Sequence, residues 1–195
     1  DDETFANPID RYSFTYRNRF TELLLGDHNY SLSPLLAMNE FGRGAQAAAI
    51  LGPIGLKTFY FENNWWETGQ GNLGVAADFT LPGKGDRDDP LYRAGFSLLS
   101  PLDGRATYGL WQRFHPVDLL SLEIDAALQS DPDGSVTPAL FAEAEGDPGR
   151  WYYRTRFLRA WTGFEGNYAD TQSFLLSSGL RLLDRALDLH GSYVI

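Results

Sequence analysis

Between residues 120 and 129 the even positions are Leu120, Leu122, Ile124, Ala126 and Leu128, and the odd positions are Ser121, Glu123, Asp125, Ala127 and Gln129. Alternation with period two marks a strand with two unlike faces. After Asp131-Pro132-Asp133-Gly134, which carries turn chemistry, a second run sets Val136, Leu140, Ala142 and Ala144 against Thr137, Glu143 and Glu145. The two runs form a hairpin. A tight turn at Pro132 and Asp133 predicts Ile124 opposite Ala142, Leu122 opposite Ala144, Ala126 opposite Leu140, Glu123 opposite Glu143 and Asp125 opposite Phe141. Carried through "GDPG", the same rule predicts Ala142 beside Tyr153 and Ala144 beside Trp151 on the apolar side. On the other side it predicts Glu145 beside Arg150, with Arg154 and Arg156 next along the strand. A turn at Asp184-Arg185 pairs Leu182 with Leu187, Leu180 with Leu189, Arg181 with Asp188 and Gly179 with His190.

The same rhythm fills nearly the whole chain. "RYSFTYRNRF" alternates Tyr12, Phe14 and Tyr16 with Ser13, Thr15 and Arg17, and "GNLGVAADFTL" alternates Leu73, Val75, Ala77, Phe79 and Leu81 with smaller or polar residues. "LYRAGFSLLS", "ATYGLWQRF", "RWYYRTRFLRAW", "SFLLSSGLRLL" and "RALDLHGSYVI" follow, divided by "PGKGDRDDP", "PLDG" and "GDPG". The pattern predicts roughly ten to twelve strands, at the spacing of about ten residues that membrane-spanning strands use. In "SPLLAMNEF", Leu35, Leu36 and Met38 fit either one helical turn or a loop that folds inward. Nothing divides the chain, so residues 1–195 read as a single β domain.

The pairing leaves one face smooth and apolar and the other charged with both signs in register, which is compatible with two inverted architectures. In a soluble barrel or sandwich the apolar face is the core, and the interior binds an apolar molecule. In an outer-membrane barrel the apolar face meets lipid and the charges line the interior. Three features favour the second. The apolar face is rich in Ala and Gly, which fill a core poorly. Aromatic residues make up 14% of the chain and gather at run ends, as in "FYFENNWW" and "RWYY", where barrels place interfacial girdles. Turns such as "PLDG" and "LLDRAL" are shorter than "PGKGDRDDP", which suggests a short-turn end and a long-loop end. The expected fold is an all-β, antiparallel up-and-down barrel of the outer-membrane type, whole or a segment of a larger one.

Composition narrows the partners. The net charge of -10, with 16 Lys and Arg among 26 acids, argues against nucleic acid, whose phosphates need a basic stripe. Absence of Cys removes disulfides, thiolate metal sites and Cys nucleophiles and suits passage through an oxidising compartment. No apolar run is long enough for a transmembrane helix, and "DDETFANPID" lacks the features of a signal peptide, so export would require a leader already removed.

Candidates for chemistry are few. Glu123, Asp125, Glu143 and Glu145 bring four carboxylates to one face, which fits acid-base work or a hard cation; the plainer reading is a hydrated lattice balanced by Arg150, Arg154 and Arg156. His28, His115 and His190 are dispersed without zinc-site spacing. Ser31 and Ser33 near His28 and Asp27 lie in a turn-like stretch where such side chains bond backbone. "GPIGL" and "GKGDRDD" lack phosphate-loop spacing, so no enzyme and no cofactor are expected. Glu123, Asp125, Glu143, Glu145, Arg150, Arg154, Arg156, Arg181 and Asp188 are expected to line the lumen.

"LLLGDHNYSLSPLLAMNEFGRGAQAAAILGPIGLKTFYFE", in which a strand ends in Leu-Gly-Asp and Phe-Gly-Arg-Gly opens another, resembles the early barrel of outer-membrane fimbrial ushers and usher-like surface proteins. "GFEGNYADTQSFLLSSGLRL" resembles a later strand pair of that group. Usher barrels are far larger and carry plug and periplasmic domains, and "SYVI" lacks the terminal aromatic residue that barrels usually carry. The resemblance implies a bacterial outer-membrane pore, polypeptide translocation channel or surface anchor, with membrane lipid and a translocated polypeptide or small solute as partners.

Overall fold

The computed structural model describes residues 12–37, 40–62, 71–83, 90–117, 119–166, 168–182 and 187–195. Within them the chain runs through twelve strands. They are β1 (Ser13–Arg17), β2 (Thr21–Tyr30), β3 (Glu40–Leu51), β4 (Ile54–Glu62), β5 (Gly71–Leu81), β6 (Tyr92–Ser100), β7 (Ala106–Val117), β8 (Leu120–Ser130), β9 (Val136–Gly146), β10 (Trp151–Ala160), β11 (Gln172–Leu182) and β12 (Leu187–Val194). Each pairs antiparallel with its neighbours in the chain, giving one sheet in the order β1 to β12. β1 and β12 form its two edges and are not paired with each other, so the described sheet is an open up-and-down wall.

The β2–β3 loop defines which way the wall curves. Leu35 and Leu36 pack with Ala127, Ala139, Phe141, Leu158 and Ala160 of β8, β9 and β10, and with Phe164 beyond β10. A loop rooted at β2 reaches that far only if the sheet bends around it, so the face it touches is concave. The alternation then sorts every strand. On β8 the concave-facing Asp125, Ala127 and Gln129 are 0%, 2% and 2% exposed, whereas Ile124 and Leu128 are both 51% exposed. Elsewhere Gln46, Ser97 and Thr107 are buried on the concave side, while Leu56, Val75, Leu110 and Leu176 stand exposed on the convex side. This overturns the soluble-barrel alternative, in which the apolar face had to point inward.

Convex aromatics gather toward the strand ends: Tyr16, Phe20, Phe79, Phe114 and Trp151 at one end, Tyr60, Tyr108 and Trp161 at the other. On the concave side large rings lie across glycines of the facing strand. Phe59 is opposite Gly74, Trp111 opposite Gly95 and Tyr152 opposite Gly179. A Cβ at Gly95 would fall 2.6 Å from the Trp111 ring, so the missing side chain is what lets that ring lie flat on its neighbour.

The β8–β9 and β11–β12 registers agree with the expected pairs, including Ile124 with Ala142 and Arg181 with Asp188. The β9–β10 register does not. Ala142 faces Phe157 rather than Tyr153, and Glu145 faces Arg154 rather than Arg150. The cause is a wider turn. Asp147 Oδ1 accepts the Gly149 N–H at 3.1 Å, Gly149 takes a φ of 92°, and the Arg150 carbonyl accepts the Arg181 N–H at 2.6 Å. Because the slip is an even number of residues, no side chain changes face. The expected grouping of turns also fails: "PLDG" joins β6 to β7 at the end opposite to "LLDRAL" between β11 and β12, and "PGKGDRDDP" lies at the same end as "LLDRAL". Met38 and residues 183–186 lie outside the described residues, but Leu35 and Leu36 combine the two expected forms: they fold inward in a loop that makes a single turn, with the Ala37 N–H on the Ser33 carbonyl at 3.3 Å.

Candidate functional site

Across the concave face one row of charges runs at right angles to the strands. Arg93 on β6, Arg113 on β7, Glu123 on β8, Glu143 on β9 and Arg156 on β10 each stand directly opposite the next. At the usual spacing of paired strands the row spans roughly 19 Å. Like charges meet twice in it, at Arg93 with Arg113 and at Glu123 with Glu143, an arrangement that repels unless each member is held from another side.

Each is so held. Arg93 makes two bonds to Asp78 on β5, both at 3.0 Å, and lies 5.3 Å from the Trp111 ring. Arg113 Nη2 donates to Glu123 Oε2 at 2.8 Å. Glu143 accepts from Arg154 Nη2 at 2.8 Å and from Arg156 Nε at 2.6 Å. Arg154 also stands 3.8 Å from Glu145. The partners are not equally placed. The Arg93, Arg113 and Arg154 side chains are 44%, 46% and 46% exposed, while those of Asp78, Glu123 and Glu143 are 16%, 16% and 10% exposed. The carboxylates lie back against the wall and the guanidinium groups stand forward. A guanidinium has five N–H donors, and a carboxylate engages at most two of them, so the forward edges keep donors for another ligand.

Two loops roof this row from the end of the sheet that carries the β2–β3, β6–β7 and β10–β11 connections. Pro34 of the β2–β3 loop and Tyr168 of the β10–β11 loop join Phe141, His115 and the charged residues around a pocket of about 370 Å³. The β6–β7 loop is tied to the β10–β11 loop by Arg105, which bridges Asp103 and Glu165. The hydrogen bond from Arg105 holds the Asp103 carboxyl below its ordinary pKa. Among the described residues no group of three or more His, Asp or Glu side chains is placed to hold a metal ion.

Of the residues expected to line an interior, Glu123, Glu143, Glu145, Arg154 and Arg156 meet in this pocket. Asp125 shares their face but is fully buried under the β2–β3 loop. Arg181 stands opposite Asp188 in register, yet its Nη1 bonds Asp147 at 2.7 Å; the Asp188 side chain lies outside the described residues. Arg150 sits in the β9–β10 turn, apart from the row. Sequence reasoning missed Asp78, Arg93 and Arg113. The alternation that exposed Glu123 also runs through "LYRAGFSLLS" and "ATYGLWQRF", but pairing Arg113 with Glu123 requires the irregularity between Phe114 and Val117, whose one local signal is Pro116, a residue without an N–H for the ladder.

No protein-family model matches the sequence, and no curated protein does. Solved structures do. The chain is similar to the outer membrane protein OpdK from Pseudomonas aeruginosa, with a TM-score of 0.66 and 14% identity over 93% of this chain and 62% of that one. It is also similar to Pseudomonas aeruginosa OccK9 (OpdG), at 0.66 and 11% over 93% and 59%. A BenF-like porin from Pseudomonas fluorescens Pf-5 matches at 0.64 and 11% over 93% and 60%. The chain thus spans about three fifths of the length of these structures. It has the fold of bacterial outer-membrane barrels. The likeness is to porin barrels, so the expected outer-membrane architecture holds while the specific resemblance to fimbrial ushers gains no support from them.

Proposed function

We propose that this chain forms the wall of a pore in a bacterial outer membrane, with its convex face in lipid and its charged row along a path for small anionic or zwitterionic solutes. The observation that carries this reading is the forward placement of Arg93, Arg113 and Arg154 over carboxylates set back against the wall. Such a surface offers guanidinium donors without leaving an unpaired charge inside the membrane. The exposed apolar convex face supports lipid as the surrounding medium, because a patch of that extent is costly in water. The sheet edges need further strands to close, since lipid cannot satisfy bare backbone. Passage of a small solute fits better than translocation of a polypeptide or service as a surface anchor. Two loops occupy the interior, and the pocket beneath them holds about 370 Å³.

Planar-bilayer recording tests the proposal. Replacing Glu123 and Glu143 together by Gln should shift ion selectivity toward anions while the barrel stays folded. Selectivity indifferent to both changes in a conducting barrel would remove it.

A further inference from the structure

The β2–β3 and β10–β11 loops fold into the concave space, where neither has a strand ladder to satisfy its backbone. One strand holds both. On β8, Asp125 Oδ2 accepts the Leu35 N–H at 3.2 Å. Two periods of alternation further on, Gln129 Nε2 donates to the Gly163 carbonyl at 3.0 Å and Gln129 Oε1 accepts the Glu165 N–H at 2.8 Å. Between them Ala127 is small, and with Ala139 and Ala160 it leaves a seat for Leu35, Leu36 and Phe164. Gly109 is part of the same seat, since a Cβ there would fall 2.7 Å from Leu36 Cδ1.

We infer that β8 is a double latch, in which Asp125 holds the β2–β3 loop inward and Gln129 holds the β10–β11 loop.

Asp125 is an unusual choice for mere packing. It is fully buried, and its Oδ1 has no hydrogen-bond partner. A buried carboxylate loses hydration that the Leu35 N–H and the Ser33 hydroxyl only partly replace, so releasing the loop returns water to it. The apolar seat and the Asp125 hydrogen bonds hold the loop closed, and the hydration the carboxylate loses offsets part of that hold, which makes the β2–β3 loop poised rather than welded. Gln129 is different. A neutral carboxamide with both ends engaged is satisfied where it is, including a 2.8 Å bond to Asp131, so the β10–β11 loop is the more firmly held of the two. The two loops also meet, Gly166 lying against the Leu35 carbonyl, and in the proposed pore they would together narrow the path above the charged row. That last consequence rests on the pore reading; the latch does not.

Amide hydrogen exchange, read by mass spectrometry on the detergent-solubilised chain, tests it. Asp125→Ala should speed exchange in residues 31–37 about tenfold, more than in residues 161–166, and leave the β9 amides unchanged. Gln129→Ala should do the reverse. Should Asp125→Ala fail to fold, Asp125→Ser, too short to reach the Leu35 N–H, carries the same expectation. Both segments accelerating equally in either variant, or neither accelerating, overturns the double latch. Single-channel recording separates this from the pore reading. Selective loop release with wild-type conductance unchanged in level and switching rate leaves the latch standing and counts against the loops bordering a conducting path.

Discussion

Ile124 and Asp125 are neighbours in the chain and occupy opposite worlds, the first 51% exposed on the convex face and the second fully buried beneath a loop. The pleat separates them, since successive side chains of a strand point to opposite faces. In an outer membrane Ile124 meets hydrocarbon. Ile124→Arg should destabilise the folded barrel by about 2 to 4 kcal/mol if the site lies near the bilayer midplane, measured by urea titration of protein refolded into lipid vesicles. A loss within experimental scatter of wild type would mean that this face does not meet lipid. Which residues are apolar and which alternate with them was legible in the sequence. The burial of Asp125 was not, because it depends on Leu35, 90 residues away.

At the scale of strands, the row from Arg93 to Arg156 depends on four registers being right at once. Glu143 and Glu145 share a strand, a face and an arginine, yet their settings differ. Glu143 is 10% exposed between Arg154 and Arg156, and Glu145 is 51% exposed at 3.8 Å from Arg154 alone. Glu143→Gln removes the charge and turns one of two nearly buried acceptors into a donor facing a guanidinium group, so it should cost about 1.5 to 3 kcal/mol. Glu145→Gln should stay within about 0.5 kcal/mol, as exposed ion pairs usually do. Equal losses in the same urea titration would contradict the difference in setting. The β8–β9 register was readable because Asp131, Asp133 and Gly134 build a compact turn, with the Gly134 N–H on the Asp131 carbonyl at 2.9 Å. The β9–β10 register was misjudged because "GDPG" resembles such a turn, whereas Asp147 and Gly149 open it and Arg150 already pairs toward β11.

For the whole molecule the exposed convex face has a direct consequence in handling. The protein should be monodisperse in detergent and should aggregate when detergent is removed, as light scattering during dialysis would report; a dispersed, folded monomer without detergent would contradict a lipid-facing wall.

The alternation of apolar and polar residues determined, without help from the fold, that the chain is built of strands, which side chains share a face, and that consecutive strands pair in hairpins. Those properties are local, because a period of two and a turn involve only residues close in sequence. The same pattern is unchanged if inside and outside are exchanged, so it left a soluble barrel and a membrane wall both open. Tertiary structure decided between them through the direction of curvature, which is set where Leu35 and Leu36 cross to Ala127, Phe141 and Leu158. It also decided that Arg113 reaches Glu123 and that the guanidinium groups stand in front of their carboxylates. Both depend on strand register and side-chain packing, for which period-two alternation carries no information.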